Sequence, residues 1–95
     1  MNMTKFIAEE FPKLEFFTKQ IVKVHGQRHP ELAQVRALFV QLRDKALAGN
    51  FDFSSELSQM ESVTNHYAVP QDACEAYQAT YELLDYLDHN SAVVD

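Results

Sequence analysis

The sequence predicts an all-α fold, a small up-down-up-down four-helix bundle. Three observations carry that expectation. Apolar residues recur three and four positions apart through four separate stretches, the spacing of one helix face. The connectors between those stretches are short, which favours antiparallel neighbours. Only two Gly and three Pro occur among 95 residues, too few for the turns of an all-β chain. The length suits one domain, expected over residues 1–89, with 90–95 as a frayed tail.

The first helix is expected over residues 4–25, where Ile7, Phe11, Leu14, Ile21 and His25 hold the spacing and Phe17 and Val24 flank it. Thr18 interrupts that seam. Pro12 lies inside the span and removes a backbone donor. It either kinks the helix near Ala8–Phe11 or opens the helix proper as its first position. Gly26 supplies a stop. The second helix is expected from Pro30 to Ala48, with Leu32, Val35, Phe39, Leu42 and Ala46 inward, ended by Gly49-Asn50. The third runs over 54–66, capped by Asp52, Ser54 or Ser55, with Leu57, Met60 and Val63 inward. The fourth runs from Pro70 to His89 on Ala73, Tyr77, Thr80 or Tyr81, Leu84 and Leu87, with Asp72 and Glu75 in its first turn.

Composition excludes several function classes. The net charge is −6, and all eight Lys and Arg fall in residues 5–45 while Asp and Glu dominate after residue 50. Phosphate binding needs a basic face, so nucleic acid and anionic membrane are not expected partners. No apolar run approaches the ~20 residues of a membrane-spanning helix, and Met1–Phe6 lacks a signal-peptide core. The single Cys74 has no internal disulfide partner. A reducing cytoplasm is the expected setting.

Two blocks of sequence carry a resemblance. The first, Glu10–Leu42, contains Phe11-Pro12-Lys13-Leu14, then Lys23-Val24-His25-Gly26-Gln27-Arg28-His29-Pro30-Glu31-Leu32, then Leu38-Phe39 followed by Leu42. The second, Leu57–Leu87, contains Val63-Thr64-Asn65-His66-Tyr67, Val69-Pro70-Gln71-Asp72-Ala73-Cys74, Tyr77, Tyr81, Leu83 and Leu84. In order and spacing they resemble the hemerythrin-like domain of the bacterial iron-sulfur cluster repair di-iron proteins. That resemblance implies a hemerythrin-like bundle and, in the family, a di-iron site with one His from each of four helices and two bridging Glu.

Position by position, the resemblance implies no ligand in this chain. Matching by the Phe11–Leu14 motif puts Thr4 where the family has its first His. The family's H-x-x-x-E pair falls on Gly49 and Phe53. The following L-F-P and H-D-x-A-G elements have no counterpart, since Gly49–Phe53 leads almost directly into the third helix. Val94 falls near the last His, and Asp95 ends the sequence before a Glu. All these positions gather at one end of the expected bundle, which is read as shortened at its metal-binding end. The family motifs that remain sit along the shaft or at the opposite, closed end.

The remaining chemistry candidates have plainer readings beside them. His25, His29 and His66 can gather at the closed end and, with Glu31 or Asp72, offer a zinc or nickel site. The plainer reading packs His25 at a helix end and leaves His29 in a loop. Cys74, in the first turn expected for the fourth helix, is either a reactive thiol or a small core residue. Asp85, Asp88 and His89 offer acid–base groups on an otherwise solvated face. Phe51 and Phe53 either plug the shortened end or form an exposed patch for a partner.

The function expected from this reading is non-catalytic and metal-free, with no cofactor. The chain would act by contact with a protein partner or by self-association, as a homodimer through Phe51 and Phe53. It would modulate iron-sulfur cluster repair or a stress response. The alternative is an iron- or zinc-binding cluster repair protein whose site is rebuilt by dimerisation.

Overall fold

The structure is a computed structural model that describes residues 2–91. It contains four helices, α1 (Met3–His25), α2 (Leu32–Leu47), α3 (Ser54–Val63) and α4 (Glu75–Asn90), and no strand among the described residues. They form a small all-α bundle, 37 × 21 × 20 Å. α1 packs on α2 and on α4, and α2 packs on α3. Cross-helix contacts fix the antiparallel sense. Glu15 of α1 meets Arg43 of α2 while Thr18 meets Arg36. Phe6 meets Tyr86 at one end of α1, and His25 meets Tyr77 at the other.

The 3/4 spacing becomes one core. Leu14, Ile21, Leu32, Val35, Phe39, Leu42, Met60, Leu84 and Leu87 are fully inaccessible to solvent. Thr18 belongs to this core rather than breaking it. Its hydroxyl donates to the Leu14 carbonyl at 2.7 Å and accepts from Arg36 Nη1 at 3.0 Å. A buried hydroxyl with both roles filled costs little. The two residues offered for the same register of α4, Thr80 and Tyr81, are both buried.

Helix boundaries differ from expectation where local bonding overrides the pattern. Pro12 neither starts α1 nor interrupts it; α1 runs through it from Met3, capped by Asn2, whose side chain accepts from the Lys5 amide at 3.0 Å. Gly26 is right-handed (φ −61°) and takes no left-handed cap. Pro30 does not open α2. It sits in a tight turn whose Leu32→His29 and Ala33→Pro30 bonds span three residues, and the α-helix begins at Leu32. α3 stops at Val63 because the next residues turn left-handed. Asn65, His66 and Tyr67 have φ of 52°, 60° and 60°. The His66 amide reaches back to the Glu61 carbonyl at 2.8 Å, the long bond of a helix-ending Schellman motif. The following connector stays non-helical through Asp72, so α4 starts only at Glu75. Of the expected tail, Asn90 closes α4 and Ser91 caps it; positions 92–95, Val94 among them, lie outside the described residues.

Glu15 is the polar hub of α1 and α2. Both its oxygens accept from Arg36, at 2.9 and 3.0 Å, and from Arg43 Nη1, at 3.0 and 3.1 Å. Lys19 adds a contact at 3.4 Å one turn along. The Arg36 hydrogen bonds, reinforced by its charge and by Arg43, outweigh partial burial and lower the Glu15 pKa from 4.5 to about 2. A depressed carboxylate stabilises the folded state fully above its unfolded value and loses that contribution as pH falls. The wild-type urea midpoint should therefore drop between pH about 5 and about 2 more steeply than that of Glu15→Gln. Equal slopes in the two proteins would show that the hub is not linked to folding.

Candidate functional site

Two ends of the bundle bear on function. At the first, the C-terminus of α2 meets the start of α3, beside the N-terminal part of α1 and the C-terminal part of α4. α2 stops there through a second Schellman motif. The Asn50 amide bonds the Lys45 carbonyl at 2.8 Å and the Gly49 amide bonds Ala46 at 3.0 Å. Gly49 takes φ +79°, with open space where a side chain would begin. Lys45 then bridges the turn, its Nζ donating to the Asp52 carbonyl at 3.0 Å and to Glu56 Oε1 at 2.9 Å. Glu56 is only 7% exposed, and the pair with the half-buried Lys45 anchors α3 to α2.

The aromatic residues of this end divide into core and surface. Phe53 is 2% exposed. Its ring centre lies 6.2 Å from Phe11, which packs edge-on to Phe39 at 5.3 Å. Phe51 touches Phe53 edge-on at 6.4 Å but remains 43% exposed. Of the two residues expected at a partner surface, Phe53 is therefore withdrawn into the core, and Phe51 alone remains accessible. Nearby Leu47 is 81% exposed, and Tyr86, stacked on Phe6 at 5.8 Å, is 50% exposed.

This end does not fit a di-iron centre. Thr4 is exposed on the first turn of α1. A side chain at position 49 would be strained at positive φ and would point into open space. Position 53 is filled by a packed aromatic ring. Among the described residues, no three His, Cys, Asp or Glu side chains converge so as to hold a metal ion.

At the closed end the histidines separate. His25 and His29 lie with ring centres 6.4 Å apart, both edge-on to Tyr77 at 5.2 and 5.5 Å. His29 Nε2 lies 3.0 Å from each Asp72 oxygen, and its Nδ1 lies 3.7 Å from Glu31. His66 is not with them. It extends into solvent and pairs with Glu61 at 2.9 Å. The expected three-histidine cluster is thus a pair, because the left-handed turn at 65–67 carries His66 away.

Other candidates find structural partners. Cys74 is exposed and forms the uncapped N-terminal boundary of α4, not a core position in its first turn. Asp72 precedes that helix instead of opening it. Asp88 accepts from the Tyr67 hydroxyl at 2.7 Å. Burial, then the Asp88 carboxylate, pushes the Tyr67 pKa far up, so the phenol stays a donor. His89 pairs with Asp85 one turn back on α4. The sequence reading missed the Glu15 hub. Arg36 and Arg43, seven residues apart and so on one face of a helix, were its signal.

No family model matches the chain, and no solved structure matches it. Among curated proteins the chain is similar to the iron-sulfur cluster repair protein ScdA of Staphylococcus haemolyticus (strain JCSC1435). The two are 26% identical over 119 aligned positions, covering 90% of this chain and 54% of that protein. The chain thus spans about half the length of the curated relative it matches. The alignment is longer than the chain's 95 residues, so at least two dozen positions of the relative have no counterpart. The resemblance carried by the two motif blocks is met independently. Over most of its length this chain is a distant relative of a cluster repair protein. No helix among the described residues is long and apolar enough to cross a membrane.

Proposed function

We propose that this chain, a distant relative of a cluster repair protein, is a hemerythrin-like bundle that works by protein contact and holds no di-iron site of its own. The observation that supports the reading is the end of α2. Where the family motif places a His and a Glu, the chain has Gly49 at φ +79° and the buried ring of Phe53. A di-iron carboxylate centre needs His and Glu side chains projecting inward from facing helices, and neither position offers one. The role is non-catalytic, in the cytoplasm, and bears on cluster repair through a partner or a second copy. The accessible apolar residues Leu47, Phe51 and Tyr86 at this end are the contact we assign to it.

The test is iron content. Untagged protein is reloaded anaerobically with ferrous iron, desalted and measured by elemental analysis. The expected result is iron far below one atom per chain. About two irons per chain, the complement of a di-iron site, would overturn the reading. About two per dimer would replace it with a site rebuilt by dimerisation.

A further inference from the structure

Between α1 and α2 runs a groove of about 340 Å³, with Ile7, Ala8, Phe11 and Pro12 along one wall and Ala46 and Leu47 along the other. Phe11 is buried, while Ala8 and Pro12 are exposed. Pro12 is the odd member. A proline inside a helix is destabilising, and this one gives nothing to the core. It also has no N–H for the Ala8 carbonyl, so a backbone acceptor without its helical donor lies between two residues of the groove. A residue that breaks a local rule with no structural return marks a place to look for function.

Charge and shape together say what enters. The charged side chains that line the groove, Glu15 and Arg43, are paired with each other at 3.0 Å. The lining therefore carries no net charge, and it suits an apolar occupant rather than a charged one. The complement is on the chain itself. Leu47 is 81% exposed, the most exposed large apolar residue among those described, and it stands at the rim of the groove. Three residues on, Asn50 is exposed. Its Oδ1 accepts from the Asp52 amide at 3.0 Å, and among the described residues its NH2 has no partner, so it can donate.

We infer that the groove receives Leu47 of a second copy of this chain. The contact is two-fold, each copy offering both its groove and its leucine, and the Asn50 amide of one copy is the donor for the Ala8 carbonyl of the other. A two-fold contact uses one patch twice, and a leucine beside its own groove meets that requirement. A leucine far from the groove would build open chains of molecules instead. This inference rests on the reading of Leu47 as a contact residue and names what it contacts.

Sedimentation equilibrium of the untagged chain tests it. The wild type should show a monomer–dimer equilibrium that approaches twice the 10.9 kDa chain mass as concentration rises. Leu47→Ser should weaken the dimer about tenfold or more, the worth of burying one such side chain. Ala8→Gln, which fills the groove, should weaken it similarly. Both positions are exposed, so circular dichroism should report an unchanged fold in each variant. Val69→Ser, at the closed end, should leave the dimer as it is. Mixing Leu47→Ser with Ala8→Gln should recover part of the association, because the mixed pair keeps one intact leucine and one intact groove that face each other. A wild type that stays monomeric at millimolar concentration, a dimer that Leu47→Ser does not weaken, or a mixture no better than its components overturns the inference. None of these results bears on iron content, which decides the metal-free reading, so the two failures are distinguishable.

Discussion

Phe53→Ala should cost this protein about 3–4 kcal/mol, the range for deleting a fully buried aromatic side chain. The ring is 2% exposed and is held against Phe11, itself edge-on to Phe39, so its removal leaves a void shared by α1, α2 and the start of α3. A domain of this size holds roughly 5–10 kcal/mol in all, and the substitution should remove a large part of it. Phe51→Ala is the matched control. Phe51 is 43% exposed and touches the same ring from outside, and its loss should cost less than about 1 kcal/mol. Urea midpoints of the two variants decide the matter. Equal shifts would mean that Phe53 is not the plug of this end. The control also separates structure from contact. Phe51→Ala should leave the fold intact while weakening whatever docks beside Leu47.

The second large effect has the opposite sign. Pro12→Ala should stabilise the chain by about 2 kcal/mol. Pro12 is exposed and lies well inside α1, so it gives nothing to the core. It has no N–H to donate one turn back, and its ring crowds the carbonyl there. Alanine restores that bond and removes the crowding. Part of the gain is returned, because the unfolded chain becomes freer without the pyrrolidine ring. The thermal midpoint should rise by several degrees. A lowered midpoint would show that the proline sets the line of α1 against α2, where Ile7, Ala8 and Phe11 border a groove of about 340 Å³ with Ala46 and Leu47.

The residues that could be read from the sequence are those whose position depends on nearest neighbours along a helix. Phe11, Leu14, Ile21, Phe39, Leu42, Tyr77 and Leu84 announce their burial by spacing alone, and all are buried. Gly49 announces the end of α2 because a left-handed residue is needed there. Features that join distant segments were not legible. Nothing local ties His29 to Asp72, forty-three residues away, or Tyr67 to Asp88. The late start of α4 was hidden because Pro70 is a good first residue for a helix, whereas here the chain spends 68–74 crossing the end of the bundle. Phe51 and Phe53 look alike in sequence, and the turn between them is held by bonds that no helical spacing foretells, from Lys45 to Asp52 and Glu56 and from Ser54 to Asp52. At the proposed site, the motif register located Gly49 and Phe53 correctly at one end, while the separation of His66 from the other histidines required three consecutive left-handed residues that no pattern foretells.

The main helix packing runs α4 on α1, α1 on α2, and α2 on α3. In outline the molecule is thus a strip folded back toward itself, and its two borders meet where the Tyr67 phenol, in the turn that follows α3, reaches Asp88 of α4. Leu57 and Met60 of α3 and the ring of Tyr67 lie in the same core as the other three helices. Parting that border would expose apolar surface as well as break the bond, and the strip closes as one unit.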